Sequence, residues 1–254
     1  MDAHQVRKGL AGAVMSGALV AGLSGGIAAA SSPAPNTPGA PAGHAVSTAA
    51  KHGFLRAQKT LELELTDRAG ELARLTADVK GATTLSAADS TTLTTRLATE
   101  TSNIATLQSQ VAAATTRAEL KTASNSMYVD NRVYAVMVPQ VLEVIEADAT
   151  TAQVTTMQAN EAALAASVSS LAGQAGYKDA EAHYEAFVAN VTRASLLAQG
   201  VDATVIAQMP ANFPRDTHVF VTASHRLLDA QIDLARASYD ASIVGLASGG
   251  YTGS

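Results

Sequence analysis

Apolar residues recur along residues 51–246 in steps of three and four, the spacing that stacks side chains on one face of an α-helix rather than on alternate faces of a strand. Leu61, Leu65, Leu72, Leu75 and Val79 form one seam, with Arg68 at its single missing position, and Gly81 follows as a stop. A second seam runs Leu93, Leu97, Ile104, Leu107 and Val111, with Glu100 in its gap. Between them Ser86-Ala87-Ala88-Asp89 has the form of a capping box with Asp in place of Glu, and Leu85 sits where a hydrophobic staple belongs. Two long helices with matching seams and a short connection predict an antiparallel αα-hairpin. No aromatic residue occurs between Leu55 and Met127, so Leu, Val, Ile and Ala must pack this hairpin closely, in the manner of a coiled coil.

From Thr116 the pattern continues through Leu120 and Met127 into a stretch around Val133 to Leu142 where apolar residues surround the axis. Its valines would suit a buried strand, yet Tyr134, Val138, Val141 and Ile145 keep the four-three-four spacing of a helix. We read a central helix kinked at Pro139, because proline removes a backbone donor and clashes with the preceding turn. The seam resumes at Val154, Met157, Leu164, Val168 and Leu171, and Gly173 ends it. A continuous helix from Thr116 to Leu171 would be roughly 80 Å long at about 1.5 Å per residue, so an elongated molecule is expected. Residues 177–199 give a further helix with Tyr184, Phe187, Val191 and Leu196 inward and Gly200 at its end. Asp202 then caps a short helix over Val205, Ile206 and Met209, closed by Pro210. The last helix starts at Thr217 and runs through Phe220, Leu227, Leu228, Ile232, Leu234, Tyr239 and Ile243. The fold class is therefore all-α: an elongated antiparallel helical bundle with a coiled-coil-like hairpin and a long, proline-kinked central helix.

Composition adds compartment. Residues 1–30 carry Arg7 and Lys8, then an uncharged small and apolar run ending Ala28-Ala29-Ala30, the three-part pattern of a secretory signal peptide. Glycines at 12, 17, 22, 25 and 26 make the run a poor retained anchor. Residues 31–50 hold four of the seven prolines and almost no large apolar side chain, which predicts a flexible tether. The bundle domain is assigned to 51–246 and a Gly-rich tail to 247–254. The expected destination is the extracellular space or a loose association with the cell envelope, with no membrane contact after signal cleavage. With no cysteine, disulfides and thiolate metal sites are excluded. A net charge of -5 leaves no excess of cations to neutralise phosphates, so nucleic acid is not an expected partner.

Chemical signatures are sparse. Gly22-Leu23-Ser24-Gly25-Gly26 fits the nucleophile-elbow pattern but lies in the signal segment, without the strand and helix that motif needs. No Glu has His three residues later, so a di-iron bundle is excluded, and zincin, EF-hand, P-loop and dinucleotide fingerprints are absent. His218, His225 and Asp229 share a face of the last helix, but residues seven apart are separated by roughly 10 Å along the axis, too far to hold one ion alone. We assign no metal. Glu143, Glu146 and Asp148 are read as a solvated acidic face, and the eleven threonines from Thr83 to Thr116 as a neutral solvated face, with hydroxyl-mediated recognition as the sharper alternative. Asn190-Val191-Thr192 is a sequon that falls on a predicted helix. The one cofactor-binding candidate is the set Tyr134, His183 and Tyr184, in which His183, with Asp179 one turn before it, has the chemistry of an axial haem ligand.

At Arg132-Val133-Tyr134, Val138-Pro139, Ile145-Glu146-Ala147-Asp148 and Met209-Pro210-Ala211 the chain resembles a group of uncharacterised secreted helical proteins of high-GC Gram-positive, actinobacterial type. That resemblance implies export and an all-helical fold over most of residues 50–246, and no activity. We therefore expect an exported, non-enzymatic structural or interaction module that needs no cofactor and binds a protein partner or itself through helical faces. The alternative is a carrier enclosing an apolar ligand or haem near Tyr134, His183 and Tyr184.

Overall fold

The structure is a computed structural model that describes residues 42–210, 213 and 218–249; the expected signal peptide, most of the tether and residues 250–254 lie outside them. Contacts divide the chain after Ala45, and the helices pack together in the body from Val46 onward. No strand occurs among the described residues. The helices are α1 (Ala42–Gly81), α2 (Ala87–Ala113), α3 (Arg117–Val129), a π-helical turn (Val133–Met137), α4 (Val138–Ser170), α5 (Tyr177–Ala198), α6 (Val201–Ile206) and α7 (His218–Gly249).

Both predicted seams are buried. Every apolar member lies within the core, and so do Arg68 and Glu100, which fill the gaps. Gln58 Nε2 near the start of α1 donates to the Val111 carbonyl at the end of α2 at 2.8 Å, which sets the pair antiparallel. In that register Leu65 falls level with Ile104, Leu72 with Leu97, and Arg68 with Glu100. At the turn between them, Ser86 Oγ accepts from the Asp89 N–H at 3.1 Å, and the partly buried Leu85 packs on the core as the expected staple. The Asp89 carboxylate accepts from the Ser86 hydroxyl, while the Ser86 N–H donates instead to Asp148 of α4 at 2.6 Å. The complete capping box is at the start of α3, where Thr116 and Glu119 satisfy each other's backbone N–H.

α3 and α4 run in the direction of α1. Arg117 of α3 donates to the Ala50 carbonyl, Tyr128 to Glu64, and Tyr134 stacks on Arg68. One core cluster unites α1, α2, α3, the first turns of α4, α6 and the start of α7. Past the hairpin, α4 continues with α5 and α7 over two smaller clusters. There Ala194, Ala230 and Ala237 are fully buried, and alanine at a contact lets helix axes approach closely. Gly173, Gly176 and Gly200 take positive φ, which only glycine adopts without strain, and they make the turns before and after α5.

Several expectations are corrected. The central helix is not continuous from Thr116: it breaks at residues 130–132, re-enters as the π turn, and Pro139 lies in the first turn of α4. The break forms where Asp130, Asn131 and Arg132 satisfy local backbone groups, Asn131 Nδ2 and Arg132 Nε donating to the carbonyls of Ser126 and Val129. α1 begins at Ala42, inside the stretch expected to be a tether, just beyond its last proline, Pro41. α6 starts after Gly200, with Asp202 inside its first turn rather than capping it. Leu196, expected inward, is exposed, as are Leu228, Ile232 and Tyr239 of α7. Glu143, Glu146 and Asp148 are half-buried rather than solvated. No helix of the described residues is long and apolar enough to cross a membrane.

Candidate interaction surface

The three residues proposed for a cofactor lie at two separate places. Tyr134 is half-exposed on the π turn, its ring 5.2 Å from the Arg68 guanidinium carbon, beside Tyr128 at 5.1 Å. His183 and Tyr184 lie on α5, where Tyr184 packs with Val168, Leu171, Ala180 and Val244 of the last cluster. More than twenty residues of α4 separate that cluster from the π turn. The carboxylate orienting His183 is not the exposed Asp179 but Asp240 of α7, whose Oδ1 is 2.8 Å from His183 Nδ1. Asn190 Nδ2 donates to the other Asp240 oxygen at 3.1 Å, and the edge of Tyr239 meets the His183 ring. Sequence spacing did not reveal this pair, because the two residues are 57 apart and each reads as an isolated polar residue.

Polar side chains in the remaining core hold helices to one another. Gln140, fully buried, donates through Nε2 to the carbonyls of Val205, Ile206 and Gln208, and Arg96 donates to the last two. Together they satisfy carbonyls at the end of α6 that a six-residue helix leaves free. Asp233 is held below the usual carboxylate range by a two-point bond from Arg193 of α5, with Arg236 adding to it. Burial pushes Glu143 up to about 7, partly offset by a bond from Ser224 and reinforced by Glu146. Glu100 is also raised, chiefly by desolvation, and its Oε2 has no bonding partner among the described residues.

Asp89, Asp148 and Asp202 bring one carboxylate oxygen each to within 4.8 Å of one another. They are of the donor type that a hard divalent cation takes. The cluster also has a structural account. Asp89 and Asp202 occupy the first turns of α2 and α6, whose positive dipole ends favour carboxylates, and Asp148 accepts the Ser86 N–H. The threonine hydroxyls of α2 are engaged as well: those of Thr91, Thr92, Thr95, Thr99, Thr101 and Thr106 donate to carbonyls one turn back.

Among the described residues, one side of α7 stays outside the core. Its buried line is Phe220, Ala223, Leu227, Ala230, Leu234, Ala237 and Val244. A second line, Val221, His225, Leu228, Ile232, Ala235, Tyr239, Ser242 and Leu246, is exposed or half-exposed at every position. At 3.6 residues per turn the two lines point about 150° apart. The five large apolar members of the second line are 41–71% exposed, and they are five of the twelve large exposed apolar side chains among the described residues, so the exposure is concentrated on this helix. Ile232, Ala235 and Tyr239 border a shallow groove of 560 Å³ completed by Asn190, Arg236 and Asp240. No family model, curated protein or solved structure matches this chain.

Proposed function

We propose that this protein is an exported, non-enzymatic helical module of the cell envelope or extracellular space that acts by binding another protein chain through α7. The observation that carries the reading is the outer line of α7, an apolar stripe running from Val221 to Leu246 on a helix whose opposite side is engaged in the core. At 3.6 residues per turn the stripe extends over about seven turns. Large contiguous apolar exposure is costly in water and marks interaction sites. The leader pattern of residues 1–30 supports export. The test is photo-crosslinking in the producing cells, with a photoreactive residue at Leu228 or, as control, at Thr95 on the outer face of α2. Discrete adducts from Leu228 and none from Thr95 are expected; no adduct from Leu228, or equal adducts from both, would overturn the reading.

A further inference from the structure

The outer line of α7 repeats every seven residues in steps of four and three, the pattern that lets one helix seat against another. Resting on the reading of α7 as a binding face, we infer that its occupant is a second copy of this chain, with the two α7 helices paired antiparallel about a two-fold axis between Asp233 and Leu234. The charges flanking the stripe carry the choice of partner. On the edge nearer α5 the flanking positions are Thr222, Asp229, Arg236 and Ile243; on the other edge they are Ser224, Gln231, Ser238 and Gly245, all uncharged. In an antiparallel pair like edges face each other. Asp229 then meets the partner's Arg236, and Arg236 the partner's Asp229. The single charge of each sign is thus complemented by its own copy, twice, with no like charges opposed.

The apolar positions fit the same register. Val221 faces the partner's Leu246, Leu228 the partner's Tyr239, Ile232 the partner's Ala235, and His225 the partner's Ser242. All eight members of the line find a partner on the line. A parallel pair is poorer on each count. It would set His225 against its own copy and Ala235 against Ala235, and would face each charged edge with the uncharged one, so that no ion pair forms. Opposed helix dipoles add to the antiparallel preference. The face is self-complementary under a two-fold rotation, as an isologous contact requires.

Sedimentation of the purified full chain over a concentration series tests the association. A monomer–dimer equilibrium is expected, shifted to monomer by Leu228→Glu with the helical circular dichroism unchanged. Asp229→Arg and Arg236→Asp should each weaken the dimer, and an equimolar mixture of the two variants should dimerise more strongly than either alone, because each then supplies the charge the other needs. Orientation is read separately. The native chain has no cysteine, so chains carrying only Leu228→Cys and only Tyr239→Cys should form a mixed disulfide when combined and little disulfide alone. Disulfides within each single-cysteine preparation would establish a parallel pair and overturn the proposal. A monomer at every concentration would also overturn it. Adducts to a different protein from Leu228 in cells, with a monomeric purified chain, would leave the binding function standing with another occupant; the absence of any adduct would remove both.

Discussion

Glu143 is the residue whose environment makes the clearest demand on solution behaviour. The unfolded chain releases its proton near the ordinary value of 4.5, and the folded chain near 7. Between those values the folded form binds more protons, so stability declines as pH rises through that window and then levels off. Glu143→Gln should therefore raise the melting temperature at pH 8 and matter little at pH 4.5. The expected gain is about 1–2 kcal/mol after allowing for partial exposure of the carboxyl. Melts followed by circular dichroism at the two pH values check this, and a larger gain at the acidic one would contradict it. Glu100 was visible in the sequence as the gap in a seam, but its burial without a partner for Oε2 was not, because the pattern cannot say what lies opposite. Arg68, level with it, bonds Glu64 and faces two tyrosine rings instead. Glu100→Leu, which removes an incompletely satisfied buried carboxylate, should raise the unfolding free energy read from urea titration by about 1–3 kcal/mol and move the midpoint to higher urea.

Among elements, the π turn and α6 depend most on tertiary partners. Pro139 reads in sequence as a mid-helix break, and it sits where the π turn passes without a gap into α4, so the wide turn ahead of it takes up the missing N–H. Pro139→Ala should lower stability by less than about 1 kcal/mol, through the freedom it returns to the unfolded chain. A loss of several kcal/mol in urea titration would mean that the proline steers the helix. α6, only six residues long, cannot be stable alone, and it is held by Gln140 and Arg96. Gln140→Ala should cost about 2–3 kcal/mol. It should also speed hydrogen exchange selectively in residues 201–208, while exchange in α2 stays as it was.

At the scale of the whole body from Val46, the separation of Tyr134 from His183 and Tyr184 bears on ligand binding. Only a ligand that prefers the folded state raises its melting temperature. Added haem or a chelator should therefore leave the melt unchanged, and a concentration-dependent rise abolished by His183→Ala would revive the carrier reading. The helical class, both seams of the hairpin, the stops at Gly81, Gly173 and Gly200 and the Ser86 cap were all legible in the sequence, because each depends on residues within one or two turns of one another. The capping box at Thr116 and Glu119 was equally local, and could have been read from its spacing. What only the tertiary structure decided is which of two apolar lines on α7 goes inward. Phe220, Leu227 and Leu234 alternate with Leu228, Ile232 and Tyr239, so the helix is apolar on two sides and its spacing alone does not choose. The choice falls to packing: alanines at 230 and 237 let α7 approach α5 closely, and Asp233 and Asp240 on that side find Arg193, His183 and Asn190. Hydrophobic spacing fixes that a helix forms and which faces are available to bury, but the fit of small residues and the pairing of charges between elements distant in the chain fix which face is buried and which is left for a partner.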